Sequence, residues 1–236
     1  MEIESKSTEF RRGLVRAVPM MLGFIPFGLV LGAQAAHKGF SPLAIASLCA
    51  LNFAGGSEFV AIDLWRSPLP FLAIVSATLL VNSRHILMGA AFTNYMNCIP
   101  LPKALIALFF MCDETWALGI EDAQHRREQV PDTGSSLWFY AGTCVCLYLT
   151  WVGSTALGAA IGPVLGNPQR LGFDMAFPAV FLVLLRGMWK GVRPALPWLA
   201  SLIAAAVTHL LLAGVWYVVA GAVAGLVTAY LWADDE

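Results

Sequence analysis

Between Ser67 and Pro102 the sequence carries one Asp, Glu, Lys or Arg, and that residue is Arg84; between Pro194 and Trp232 it carries none over 39 residues. Uncharged runs of this length leave few folds open. A helix on a soluble domain keeps a charged face for water, whereas a bilayer core of ~30 Å takes about 20 consecutive apolar residues. Of 236 residues, 58% are hydrophobic and 12% charged, roughly half the charge of an ordinary soluble domain. The charges gather at 2–16, 121–132, 186–193 and 234–236. The chain is therefore expected to be an all-α polytopic membrane protein with the lipid bilayer as its solvent. Its net charge of −1, with no block of like charge, gives no reason to expect nucleic acid as a partner.

Eight apolar runs can be marked out: Leu14–Ala36, Pro42–Trp65, Pro68–Phe92, Leu101–Ile120, Leu137–Ile161, Leu171–Met188, and two from the last run, split near Ala213-Gly214. Unsplit, that run would be nearly twice as long as a bilayer core at ~1.5 Å rise per residue. Each is expected to cross the membrane, as spans 1 to 8, with seven spans as the alternative count. They form one transmembrane domain at 14–232, with a polar loop at 121–136 and cytoplasmic tails at 1–13 and 233–236. Placing the N-terminus inside puts Lys6, Arg11, Arg12, Arg16, Arg66, Arg126, Arg127, Arg186, Lys190 and Arg193 on the cytoplasmic side. Lys38, Lys103 and Arg170 fall outside, and this ten-to-three bias orients the chain N-in. No cleavable leader pattern precedes span 1, which is expected to act as the insertion signal itself. His85-Ile86-Leu87-Met88-Gly89 in span 3 and His209 to Gly214 in span 7 occupy similar places in their halves; a parallel 4+4 repeat and chance both account for this. The five cysteines read as thiols, four in the membrane and Cys98 in a loop.

Span 2 contains Asn52-Phe53-Ala54-Gly55-Gly56-Ser57-Glu58-Phe59 at mid-run, a polar and glycine-rich sequence that lipid does not tolerate. It implies a break facing a guarded cavity. Span 1 has Pro26 near its middle, which removes a backbone donor and predicts a kink or break, and Gly28 with Gly32 one turn apart, suited to close helix approach. Asp174 ahead of Pro178 suggests a similar break in span 6, with an interfacial cap as the plain alternative. Breaks in neighbouring spans point to a transporter site, although a packing kink explains Pro26 as well. Glu58 is placed about five residues nearer the cytoplasm than Asn52. It reads either as a protonatable site or as a structural acid paired with Arg84 or capped by hydroxyls.

Span 3 adds Asn82-Ser83-Arg84-His85. A guanidinium here must be paired, and it suits a substrate carboxylate as well as a clamp on Glu58, Asp113 or Glu114. His85 is either a proton shuttle or a hydrogen-bonded packing residue. Asp113 and Glu114 in span 4 point about 100° apart, so one can pair with Arg84 while the other titrates. Enzyme motifs of the metalloprotease, serine-hydrolase and P-loop kinds are absent from the sequence; no enzymatic activity, cofactor or metal is expected.

These motifs, in order, resemble the AzlC family, the large subunit of bacterial branched-chain amino-acid exporters. The likeness runs from near Arg16 to Trp232. It is carried by Gly23-Phe24-Ile25-Pro26-Phe27-Gly28, Phe53-Ala54-Gly55-Gly56-Ser57 with Phe59, Asn82-Ser83-Arg84-His85, Asp113-Glu114, and Gly172-Phe173 with Phe177-Pro178-Ala179. The resemblance implies export of valine, leucine, isoleucine and sometimes methionine across the bacterial inner membrane, with a small AzlD-type subunit as partner. Glu58 stands where the family usually has glutamine. The expectation is a proton-coupled exporter, as a heteromeric complex or higher oligomer. Pro26, Gly28, Asn52, Gly55, Gly56, Ser57, Phe59, Asn82, Arg84 and Phe177 would bind substrate; Glu58, His85, Asp113, Glu114 and Asp174 would carry the coupling proton. The alternatives are an exporter of another small organic solute, a passive channel or an intramembrane enzyme.

Overall fold

The computed structural model describes residues 5–96, 99–129, 136–165, 182, 186, 189, 191–212 and 216–232. Most of these are helical, with no strand among them. The chain divides into two compact units, Met1–Phe173 and Asp174–Glu236. The larger holds α1 (Lys6–His37), α2 (Pro42–Asn52), α3 (Gly56–Leu64), α4 (Phe71–Asn82), α5 (Arg84–Met96), α6 (Leu101–Phe109), α7 (Asp113–Gln129) and α8 (Leu137–Leu165). The smaller holds a 3-10 turn at Arg193–Ala195, then α9 (Leu196–Leu211) and α10 (Trp216–Trp232). Among the described residues, four stretches are long and apolar enough to cross a bilayer: Lys6–His37, Phe71–Met96, Leu137–Val164 and Arg193–Leu211. The all-α membrane class is borne out.

The frame of the larger unit is a parallel pair. Along α1, Phe10 meets Gly142, Gly28 meets Ser154, Gly32 meets Thr155 and Ala33 meets Gly162, so α1 and α8 run the same way. A methyl group on Gly28 would overlap the Ser154 hydroxyl, and one on Gly32 the Thr155 carbonyl oxygen. This is the close approach that small residues permit between membrane helices. The end where α1 begins is termed proximal, and the end where it stops, at Gly39 with φ +89, distal. α1 is continuous through Pro19 and Pro26, which corrects the expected break in span 1. A proline removes one backbone bond and strains one turn, and contact with α8 along the helix supports the turns on either side.

Span 2 is not a crossing. α2 leaves the distal end behind the Ser41 cap, whose hydroxyl accepts from Ala44 N at 3.1 Å, and reaches mid-depth at Asn52. α3 then returns to the end it came from: the Phe40 and Trp65 rings touch at 4.8 Å, and Lys38 Nζ donates to the carbonyls of Asp63 and Trp65 at 3.1 and 3.2 Å. Collinear helices of this length would hold those residues more than ~30 Å apart. Span 4 folds back in the same manner from the proximal end. Tyr140 of α8 lies beside both Ala107 of α6, whose carbonyl accepts from its hydroxyl at 3.3 Å, and Gly119 of α7, 3.0 Å from the position of an added Cβ. The chain therefore turns at 110–112. Its hydrogen bonds also continue through the expected loop as far as Gln129.

Span 3 does cross, as α4 and α5 with a break at Ser83. α4 lies antiparallel to α3, with Val81 against Gly56, and α5 runs to the proximal end, where Arg127 bonds the Asn94 carbonyl. Proximal charges accordingly include Lys103, and distal ones Arg66, the reverse of the expectation for both. In the proximal layer Glu9, Arg12, Asp122 and Arg126 form one ion-pair network, with Arg12 3.0 Å from Glu9 and 2.6 Å from Asp122, and Arg126 3.0 Å from Asp122. It ties α1 to α7, two segments whose charges the sequence places in a tail and a loop.

In the smaller unit α9 and α10 pack as a hairpin, Gly221 and Gly225 lying against Ser201, which agrees with splitting the last run. His209 stacks edge-on with Tyr217 at 5.2 Å.

Candidate functional site

The two hairpin tips and the break at Ser83 meet at mid-depth. Irregular backbone survives at such a depth only when protein covers it, and Phe53, Ala54 and Met111 are all buried. At the distal tip Phe53 takes the left-handed conformation, φ 44, and α3 starts three residues later. Glu58 is the third residue of α3, the position from which an acid reaches back to free N–H groups at a helix start. Its Oε1 accepts from Ala54 N at 3.1 Å and Asn52 Nδ2 at 3.5 Å, and its Oε2 accepts from Trp151 Nε1 at 2.7 Å. Asn52 also donates to Ser57 Oγ at 3.0 Å, and Ser57 Oγ donates to the Ala54 carbonyl at 3.2 Å. Glu58 and Ser57 are 0% exposed. No Lys or Arg pairs with Glu58 among the described residues. The expected alternative of an Arg84 partner or hydroxyl caps gives way to three N–H donors. Because α3 turns back, Glu58 lies one turn to the distal side of the tip, not on the side the uninterrupted span implied.

Arg84 is the first residue of α5. Its Nη1 is 2.8 Å from Asp113 Oδ2, with both side chains a little over one third exposed. Asp113 opens α7, where the helix dipole favours an acid, while Arg84 opens α5, where it disfavours a cation; the pair offsets that conflict. Arg84 Nη2 is also 3.8 Å from where a Cβ on Gly56 would sit. The guanidinium thus lies between the two tips, bonded to the proximal one and beside the distal one. Its Nε has no hydrogen-bond partner among the described residues, and neither do Asn82 Oδ1 and Thr78 Oγ1, although all three atoms are shielded from solvent. A polar atom left so costs ~1–3 kcal/mol, and native proteins carry few of them.

The remaining expected residues sort as follows. Gly55 lies beside Trp151, whose ring is 3.6 Å from where a Cβ on Gly55 would sit. Phe59 is buried in the same turn as Glu58, edge-on to Phe27 at 6.4 Å, and Phe24 meets Trp151 at 5.6 Å. His85 Nδ1 is 3.1 Å from the Asn82 carbonyl, a local bond across the break. Glu114 is half-buried beside Asp113. Pro26 is exposed on α1, and Gly28 is occupied by its contact with α8, which helix packing explains. Asp174, Phe177 and span 6 lie outside the described residues. The sequence reading missed Thr78, Thr115, Tyr148 and Trp151. A Tyr and a Trp deep in an apolar run were the available signal, because their O–H and N–H groups need partners when buried.

The sequence profile of the AzlC protein family matches residues 19–165, a stretch containing both tips, the Ser83 break and α8. The chain belongs to the AzlC family. It is 31% identical to an uncharacterized membrane protein of Archaeoglobus fulgidus, over 79% of each chain. It is 27% identical to the branched-chain amino acid transport protein AzlC of Bacillus subtilis, over 76% of this chain and 68% of the relative. With the inner membrane protein YgaZ of Escherichia coli the identity is 25%, over 96% and 92%. No solved structure matches. In this AzlC-family chain, every residue described at the tips falls inside the matched segment.

Proposed function

We propose that the protein is a secondary active carrier that exports branched-chain amino acids, valine, leucine and isoleucine, with methionine as a further substrate. The observation that carries the reading is the set of unpartnered atoms on α4 and at its break, with the Arg84 guanidinium between the tips. Arg84 Nε can donate to a carboxylate, and Asn82 Oδ1 and Thr78 Oγ1 can accept from an ammonium group. These are the kinds of donor and acceptor that the two charged ends of a zwitterionic amino acid require, and Val81, beside Gly56, offers apolar surface for its side chain. The family membership, and the printed name of the Bacillus subtilis relative, support the same class of solute.

In this reading the N-terminus is cytoplasmic. Lys6, Arg11, Arg12, Arg16, Lys103, Arg126 and Arg127 then lie on the inner side of the larger unit, against Lys38 and Arg66 on the outer, which satisfies the positive-inside bias. Glu58, enclosed without a cation, carries the coupling proton, and Asp113 releases Arg84 when substrate takes its place. A small AzlD-type subunit completes the exporter. Proteoliposomes preloaded with unlabelled valine should concentrate labelled valine by counterflow, with a larger rate when the small subunit is present. Uptake indifferent to the preloaded solute would rule out the carrier.

A further inference from the structure

Within the larger unit the path of the chain from α1 to α7 repeats, with α8 outside the repeat. α1 followed by the α2–α3 hairpin runs from the proximal end to the distal end and then re-enters from there. α4–α5 followed by the α6–α7 hairpin crosses in the opposite sense and re-enters from the proximal end. The tips correspond in detail. Each begins at a phenylalanine, Phe53 or Phe110, and each return helix starts three residues after it. In both, a fully buried side chain in the first turn caps the tip backbone: Glu58 Oε1 accepts from Ala54 N at 3.1 Å, and Thr115 Oγ1 from Cys112 N at 2.8 Å. Both phenylalanines then meet one ring, that of Tyr148 in α8, edge-on with centroids 5.1 Å apart in each case. The Tyr148 hydroxyl donates to the carbonyl of Ala50, in the first arm of the distal hairpin, at 2.9 Å, so α8 holds the ring between the tips with its hydroxyl bonded on the distal side.

We propose that these halves are an inverted pair, the reverse of a parallel repeat, and that Tyr148 is the positioning residue on which both tips bear. Each tip closes the centre from its own side by resting on the ring, and passage requires one tip to leave while the other stays. The inference builds on the carrier reading but does not depend on which solute is carried. Inverted repeats meeting at mid-membrane through broken helices are a known route to alternating access; here the geometry assigns the shared stop to one aromatic side chain.

The test uses full-length protein in oriented vesicles, with native Cys112 or an Ala54→Cys substitution as the sole cysteine, and a membrane-impermeant maleimide. Phe110→Leu should raise labelling of Cys112 from the proximal face several-fold and leave position 54 unchanged. Phe53→Leu should raise labelling at position 54 from the distal face and leave Cys112 unchanged. Tyr148→Leu should raise both and make solute flow insensitive to solute on the far side, while Tyr148→Phe, which keeps the ring, restores coupling. Labelling of both tips from one face, or equal effects of the two phenylalanine variants at both tips, would overturn the proposal even if Tyr148→Leu does not fold. No solute enters the labelling, so failure of valine counterflow would leave this arm decisive.

Discussion

At the residue scale, the site is recognisable by bonds that are missing as much as by those made. Thr78 and Asn82 are one helical turn apart on α4, and Arg84 follows across the break; each leaves one polar atom without a partner among the described residues. If they await a solute, removing one should not harm the fold. Asn82→Ala should raise the substrate KM about 10- to 100-fold, as expected for a hydrogen bond to a charged group worth ~1.5–3 kcal/mol, with an unchanged or higher melting temperature. A lower melting temperature with unchanged KM would assign these residues to structure instead. Glu58→Gln keeps the shape and the Trp151 bond; it should fold, and its transport should lose its dependence on the pH gradient, read by imposing such a gradient on proteoliposomes. The chemistry of Glu58, Arg84 and Asp113 was legible from the sequence because each is a charge where lipid admits none. The sequence also offered Arg84 a partner among Glu58, Asp113 and Glu114, and Asp113 is the one it takes; the choice among the three was not legible, because adjacency across a fold-back depends on which way the chain leaves the tip.

At the level of elements, the apolar run from Pro42 to Trp65 has the length of a crossing and yet consists of two half-length helices, of 11 and 9 residues. Hydropathy measures only how much of a segment is apolar, and both arrangements bury the same residues. What separates them is the direction of α3. The break at Gly55-Gly56 was visible, since two glycines and a polar cluster cannot face lipid; that the break reverses the chain was not. The break at Phe110 to Cys112 left no such mark, because its backbone bonds are satisfied by Thr115, an inconspicuous residue. A direct check labels exposed positions with an impermeant reagent: Lys38→Cys and Arg66→Cys should react from one face, and Lys103→Cys and His125→Cys from the other. Two uninterrupted crossings would place each of those pairs on opposite faces.

Over the whole molecule, the all-α membrane class follows from composition and run length, and the boundaries of α1, α8 and the α9–α10 hairpin fall within a few residues of the apolar runs, α1 extending further into the proximal layer. The parallel contact of α1 with α8 belongs to a larger scale than any motif, although Gly28 and Gly32 advertised that something would approach there. Gly32→Leu places a branched side chain on the Thr155 backbone and should destabilise the protein by ~1–3 kcal/mol, the usual cost of overpacking, read as a lower melting temperature in detergent. The same pairing bears on biosynthesis. α1 leaves the ribosome before α8, and the helix that covers its glycine face does not begin until 100 residues after α1 ends. Over that stretch of translation α1 must wait in the membrane without its partner, exposing the bare backbone of that face to lipid, to the insertion machinery or to quality-control proteases.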